Sequence, residues 1–129
     1  MFRRKRKPGK IEVINLEGKQ TRPIGLHYVG RNTWQHNGSA LGNPYILQDE
    51  SDRRYVLSRY YQWIIKKLLG RDEAVTKEFM SIVARVIKGE DVILGCWCAP
   101  KACHADIIKE LAELLVVWFI ELEKISGDS

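Results

Sequence analysis

Nowhere in this chain do apolar residues run on for the roughly 18 positions that a membrane span needs. The longest such run, LLVVWFI from Leu114 to Ile120, has seven, so no membrane segment is expected. A secretory leader is missing as well, because the basic start leads into polar and acidic residues rather than a continuous apolar stretch. The expected location is the cytoplasm. Cysteine is scarce: there are three, an odd number, crowded into the eight positions from Cys96 to Cys103. That pattern excludes a secreted disulfide framework and leaves reduced thiols, metal ligands or a reactive group. The chain also has no Walker sequence and no GxGxxG, so a phosphate site would have to rest on position rather than motif.

What is present fits one soluble globular core. At 129 residues, 45% hydrophobic and 29% charged, the chain is one domain long. The net charge of +5 is unevenly spread. Arg3, Arg4, Lys5, Arg6, Lys7 and Lys10 hold six of the 21 basic residues, which leaves 15 against 16 acidic ones from Ile11 onward. General attraction to nucleic acid would therefore come from the Arg3 to Lys10 tail, whose alternative reading is a solubilising terminus. Residues 1–10 are expected to be a disordered tail, 11–125 a single domain and 126–129 a disordered end.

Ile11 to Leu16 alternates apolar and polar residues, as a half-buried strand should. A turn at Glu17, Gly18 and Lys19 and a second β-prone run from Ile24 to Val29 permit a hairpin. Gly30 to Pro44 is a long loop, of the kind that tends to be functional or disordered. Asp52 is the expected N-cap of a helix from about Arg53 to Leu69 that Gly70 ends. A second helix is expected from Glu73 to Lys88, with Gly89 at its C′ position. VILGCWC is a nearly continuous apolar strand, so it should lie inside the sheet. The last helix should run from about Cys103 to Lys124, and Tyr60, Trp63, Phe79 and Trp118 are expected in the core. The fold class is then a single small α/β domain, a mixed three- to four-stranded sheet flanked by about three helices.

Cys96, Cys98, Cys103 and His104 gather where the third strand hands over to the last helix, with Pro100 between them. Cys96 and Cys98 would share one strand face and Trp97 the other. Four readings compete. The first is a zinc site of Cys96, Cys98, Cys103 and His104, right in ligand type but not in usual spacing. The second is a nucleophile, Cys103 or Cys98, assisted by His104 or Asp106, with Cys103 favoured by the helix end. The third is a pocket for a phosphorylated small molecule at the helix start. The fourth is simply small buried cysteines with a polar helix-start histidine. His27 and His36 read as a strand face and a loop tip.

CWCAPKACHAD, Cys96 to Asp106, resembles the CWC-x-P-x-x-CHGD signature of a small phage and bacterial family known as domain of unknown function 4326. VGR at Val29 to Arg31 is similar to that family's IGR, LGNPY at Leu41 to Tyr45 to its WGNPF, and the Arg53 to Trp63 stretch to its arginine-started helix. The chain departs from the pattern at Leu41 and Ala105, where the family has tryptophan and glycine. The resemblance spans about residues 12–115 and implies a compact α/β domain with a shared site. It also implies partners for the cysteine junction: Arg31 as a clamp for phosphate or carboxylate, and Gly42, Asn43 and Pro44 as a loop whose amide meets a base or ribose edge. The expected function is binding, with processing left open, of a nucleotide-like or other phosphorylated ligand by Arg31, Gly42, Asn43, Pro44, Cys96 and Cys98. Any catalysis would use Cys103, His104 and Asp106. No cofactor is expected. Zinc enters only under the alternative, a non-enzymatic adaptor whose tail contacts nucleic acid or an acidic protein.

Overall fold

The computed structural model describes residues 7–18, 22–31, 33, 37–97 and 101–127. Most of the basic tail (residues 1–6), His36, Cys98 and Pro100 therefore lie outside the described residues, and with them the readings that rest on those positions. Gly9 and Lys10 are already tied to the body, Gly9 N–H donating to the Val86 carbonyl at 2.8 Å and Lys10 N–H to Asp91 Oδ1 at 2.9 Å.

Three strands form the sheet: β1 (Ile11–Asn15), β2 (Leu26–Tyr28) and β3 (Val92–Cys96). Their spatial order is β1-β3-β2, and both pairings are parallel, with Ile11 opposite Val92 and Leu26 opposite Ile93. This corrects two expectations. The sheet is parallel rather than mixed, and β1 and β2 form no hairpin. Alternation marks a strand without naming its neighbour, and the apolar β3 takes the interior place that its sequence demands. Val92, Leu94 and Cys96 are buried along one of its faces.

Three helices complete the domain: α1 (Arg53–Leu69), α2 (Glu73–Ile87) and α3 (His104–Gly127). Helix α1 has the expected bounds and buries Val56, Tyr60 and Ile64 at four-residue spacing. Its expected cap differs, because Asp52 makes no side-chain cap bond. A 3₁₀ turn, Glu50–Asp52, precedes the helix, and Asp49 caps that turn by accepting from Ser51 N–H. In α2, Asp72 is the cap and accepts from Val75 N–H at 3.1 Å. Val75, Phe79, Ile82, Val83 and Val86 face inward. Each such side chain contributes on the order of 1.5–3 kcal/mol by leaving water.

Helix α3 buries a narrower face than expected, Ala105, Ile108, Ala112 and Val116. Trp118, expected in the core, is 60% exposed. Direction explains it: at about 100° per residue Trp118 points roughly 120° away from the centre of the buried face, while its neighbours Val116, Phe119 and Ile120 pack on the core. No helix among the described residues is long and apolar enough to cross a membrane.

Tight backbone approach pins the entry to β2. Gly25 has φ +87°, and a Cβ there would lie 2.6 Å from the Asp91 carbonyl oxygen, whereas Gly18 has φ +75° with open space around it. Gly18→Ala should cost about 1 kcal/mol, the left-handed strain alone, and Gly25→Ala about 2–4 kcal/mol, because strain and a backbone clash add. Urea unfolding should show both as midpoint shifts at unchanged slope. Equal losses would mean that the clash is relieved at no cost.

A pocket at the carboxyl ends of the strands

Because all three strands run the same way, Asn15, Tyr28 and Cys96 end at one edge of the sheet. The chain leaves β2 through Val29, Gly30 and Arg31 and leaves β3 through Trp97, so both exits face the start of α3. Parallel sheets commonly bind ligands in that crevice. Here it holds a cavity of about 280 Å³ lined by Tyr28, Gly30, Arg31, Thr33, Asn43, Tyr45, Leu47, Arg53, Val56, Leu57, Trp97, Cys103 and His104.

The chemistry centres on Cys103 and His104. Cys103 opens α3 in a cap in which its N–H donates to Asp106 Oδ2 at 2.9 Å and its carbonyl accepts from Asp106 N–H at 3.0 Å. His104 Nε2 lies 2.6 Å from the Val29 carbonyl oxygen. A carbonyl can only accept, so Nε2 carries the proton. In the neutral ring Nδ1 then offers a lone pair, and it lies 3.4 Å from Cys103 Sγ. The thiol thus has a proton acceptor beside it. Burial first, and then the charge of Arg31, hold the His104 imidazole below its ordinary pKa, against the Val29 bond and the charge of Asp106. The ring also meets the edge of Tyr60, with centroids 5.2 Å apart. Burial pushes the Tyr60 hydroxyl far above its ordinary range, so it stays protonated and donates to the Leu41 carbonyl at 2.6 Å.

Arg31 braces the opposite wall. Its Nε donates to the Asn43 carbonyl at 3.0 Å and its Nη2 to the Tyr45 carbonyl at 2.9 Å. Two carbonyls leave its charge uncompensated by any carboxylate among the described residues. Asn43 Oδ1 accepts from Tyr45 N–H at 2.9 Å, which turns the Asn43 amide N–H₂ outward. The guanidinium of Arg59 lies 4.5 Å from the centre of the Tyr45 ring and holds it from behind. Arg53 is spent differently: it is doubly bonded to Glu50 and also donates to the Ala102 carbonyl at 2.7 Å. Those bonds to Arg53, helped by Lys101, hold the Glu50 carboxyl down at about 2.

Of the residues singled out from sequence, Arg31, Asn43, Cys103 and His104 come together around the cavity. Gly42 and Pro44 flank Asn43 without lining it. Cys96 points into the core, where its thiol donates to the Ile14 carbonyl at 3.5 Å. Asp106 caps the helix and makes no hydrogen bond to His104. Among the described residues, no three His, Cys, Asp or Glu side chains gather to hold a metal. Leu41 is fully buried in the core.

Sequence reasoning passed over Tyr28, Trp97 and Glu78. Trp97 donates from Nε1 to the Tyr28 hydroxyl at 2.9 Å, and the two rings meet edge to face at 6.2 Å. Their signal was available, since Trp97 directly follows β3 and Tyr28 is the last residue of β2. The Tyr28 ring folds back over Gly30, where a Cβ would fall among the ring atoms. Glu78, on α2, accepts from His27 Nε2 at 2.8 Å, from the Ser39 hydroxyl and from Ala40 N–H at 3.0 Å. It latches the loop that carries Asn43. Burial would raise its pKa, but these three bonds together hold it below the ordinary carboxylate value. Nothing in the sequence pairs a loop serine with a helix glutamate.

A larger cavity, about 540 Å³, opens at the other ends of the strands between Lys10, Glu12, Ile24, Arg85 and Glu90. It has no thiol, imidazole or aromatic ring in its lining, and Arg85 is paired with Glu90 at 3.5 Å.

Comparison with known proteins finds one family. The model for a domain of unknown function (DUF4326) matches residues 14–114, from the end of β1 to the middle of α3, a span that includes every pocket residue. No curated protein and no solved structure matches.

The lowered pKa of His104 has a consequence for stability. Its ordinary value is about 6.5, so below that pH the unfolded chain takes up a proton that the folded ring resists, and stability falls as pH drops. The depressed Glu78 acts lower, its contribution being lost only below the ordinary carboxylate value. Urea midpoints between pH 7 and pH 5 should therefore decline less steeply in His104→Asn than in the parent. Parallel declines would show that the folded ring titrates normally.

Proposed function

Since the chain belongs to the family described as a domain of unknown function (DUF4326), whose matched region contains the whole pocket, we propose from the pocket's own chemistry that it binds a small planar ligand bearing one anionic group, of the nucleoside monophosphate kind. The observation that carries this reading is the convergence of the Arg31 charge, the Tyr28–Trp97 aromatic pair and the outward Asn43 amide on one cavity. Rings supply a stacking wall, the amide a hydrogen-bonding edge, and the guanidinium a partner for a single phosphate or carboxylate. Volume narrows the class. About 280 Å³ lies at the small end of ligand pockets, enough for one mononucleotide and too little for a dinucleotide.

Cys103 and His104 give the pocket a means of processing its ligand. With the proton held on Nε2 by Val29, Nδ1 takes the thiol proton as Sγ bonds to an electrophilic carbon of the ligand, and returns it to the group whose bond to that carbon breaks. In this reading Arg31 binds, Cys103 attacks, His104 carries the proton, and Asp106 only caps the helix.

Adenosine, cytidine, guanosine and uridine monophosphates, their nucleosides and inorganic phosphate form the test panel. A monophosphate at 100 times its dissociation constant should stabilise the fold by about 2.7 kcal/mol, the matching nucleoside by less, and Trp97→Ala should diminish both shifts. A flat panel overturns the binding reading. For the thiol, iodoacetamide near pH 7 should alkylate Cys103 ahead of Cys96, sulfur–carbon bond formation expelling iodide as the proton passes to His104. His104→Asn should slow Cys103 at least tenfold. If Cys103 reacts no faster than an ordinary thiol, the processing role falls while the binding role stands on its own panel.

A further inference from the structure

Helix α3 is apolar on two opposite sides. Ala105, Ile108, Ala112 and Val116 face the core, whereas Leu114, Val117, Trp118, Leu122 and Ile125 are 67, 59, 60, 44 and 70% exposed. At about 100° per residue the exposed five fall within an arc of about 140° whose centre lies about 150° from that of the buried four. They are a second stripe rather than the margin of the first. A helix that is apolar on both sides needs a second partner.

We infer that this partner is a second copy of the chain, packed antiparallel along α3. The stripe is its own complement under a two-fold axis between Phe119 and Ile120. That axis sets Leu114 against Ile125 of the copy and Trp118 across from Glu121. The last pair matters most. Glu121 is the one charged residue near the centre of the stripe, and the Trp118 indole N–H has no acceptor among the described residues, so each supplies what the other lacks when water leaves. On one flank the axis brings Glu113 close to Lys124 of the copy, opposite charges on the same side of the helix. Each now makes only an exposed pair on its own helix, Lys109–Glu113 at 3.1 Å and Lys124–Glu121 at 3.2 Å, of a kind worth little and easily exchanged. A parallel pairing would stack like on like and match none of these.

Area supports the same occupant. At those exposures the five side chains offer on the order of 600 Å² per copy, hence about 1,200 Å² for the pair, above the roughly 1,000 Å² that a specific interface requires. It sits at the low end of the standard class, so exchange between monomer and dimer is expected at micromolar concentration.

Sedimentation of the full chain at roughly 100 µM should give twice the chain mass, and Val117→Glu should return it to one chain mass with unchanged helical circular dichroism, since the position is solvent-facing. Disulfide trapping reads the register. Leu114→Cys/Ile125→Cys should cross-link two chains on oxidation, while Leu114→Cys alone should not, because the two-fold keeps identical positions apart. A monomer at every concentration, a dimer that survives Val117→Glu, or efficient cross-linking of Leu114→Cys alone would each overturn the proposal.

Discussion

The position of β3 between β1 and β2 is the constraint on which the rest of the molecule depends. A strand buried on its faces and paired on both edges must be apolar throughout, and VILGC satisfies that requirement. With parallel neighbours on either side, every strand must exit at the same edge, so the segment after Tyr28 and the segment after Cys96 emerge side by side. The entry to α3 is then the surface they converge on. The His104 to Val29 hydrogen bond at 2.6 Å closes that arrangement, because it joins the first residue of α3 to the exit of β2. One bond places the helix and selects the tautomer that turns Nδ1 toward Cys103. A substitution that moved α3 away from β2 would alter both.

The pocket's other walls are held by groups that do no recognition themselves. Glu78 binds Ser39, Ala40 and His27; Tyr60 holds the Leu41 carbonyl; Arg31 holds the carbonyls of Asn43 and Tyr45. Three anchors within seven residues turn a stretch without regular structure into a fixed surface. Net hydrogen bonds of about 1 kcal/mol each, or somewhat more where one partner is charged, are enough to hold so short a segment. Arg31 belongs to both groups, since two of its donors fix the loop while its charge faces the cavity. This makes it less replaceable by lysine, which offers a point charge and no planar fork.

The helices were legible from sequence because apolar residues at four-residue spacing, bounded by Gly70 and Gly89, leave little choice. The pairing of β1 was not. A one-sided alternating strand is compatible with a hairpin and with a parallel edge position, and only the long-range partner decides. Trp118 misled for a related reason: periodicity shows that a broad face is apolar, and not how much of its width the rest of the domain covers. At the site, Arg31, Asn43, Cys103 and His104 were reached by residue chemistry together with family resemblance, whereas Glu78 and Tyr28 act through contacts across 38 and 69 positions of chain. Contacts of that range leave no local signature. Asp52 shows the smallest scale of the same limit, because a 3₁₀ turn shifted the capping role to Asp49.

The start of α3 reads, in sequence, as the place for an anion, since a helix N-terminus attracts negative charge by about 0.3–1 kcal/mol and supplies unpaired N–H groups. The Asp106 carboxylate already occupies that place, accepting from Cys103 N–H at 2.9 Å. A second anion there would compete for a filled donor and meet a like charge a few ångströms away, a repulsion of order 4 kcal/mol at 4 Å with an effective dielectric of 20. Repulsion of that size outweighs what the helix dipole offers. Arg31, on the opposite wall, carries a charge with no carboxylate partner among the described residues, and the proposed function accordingly gives the anionic group to it. Asp106, which sequence reasoning offered as orienting or capping, is the cap of α3.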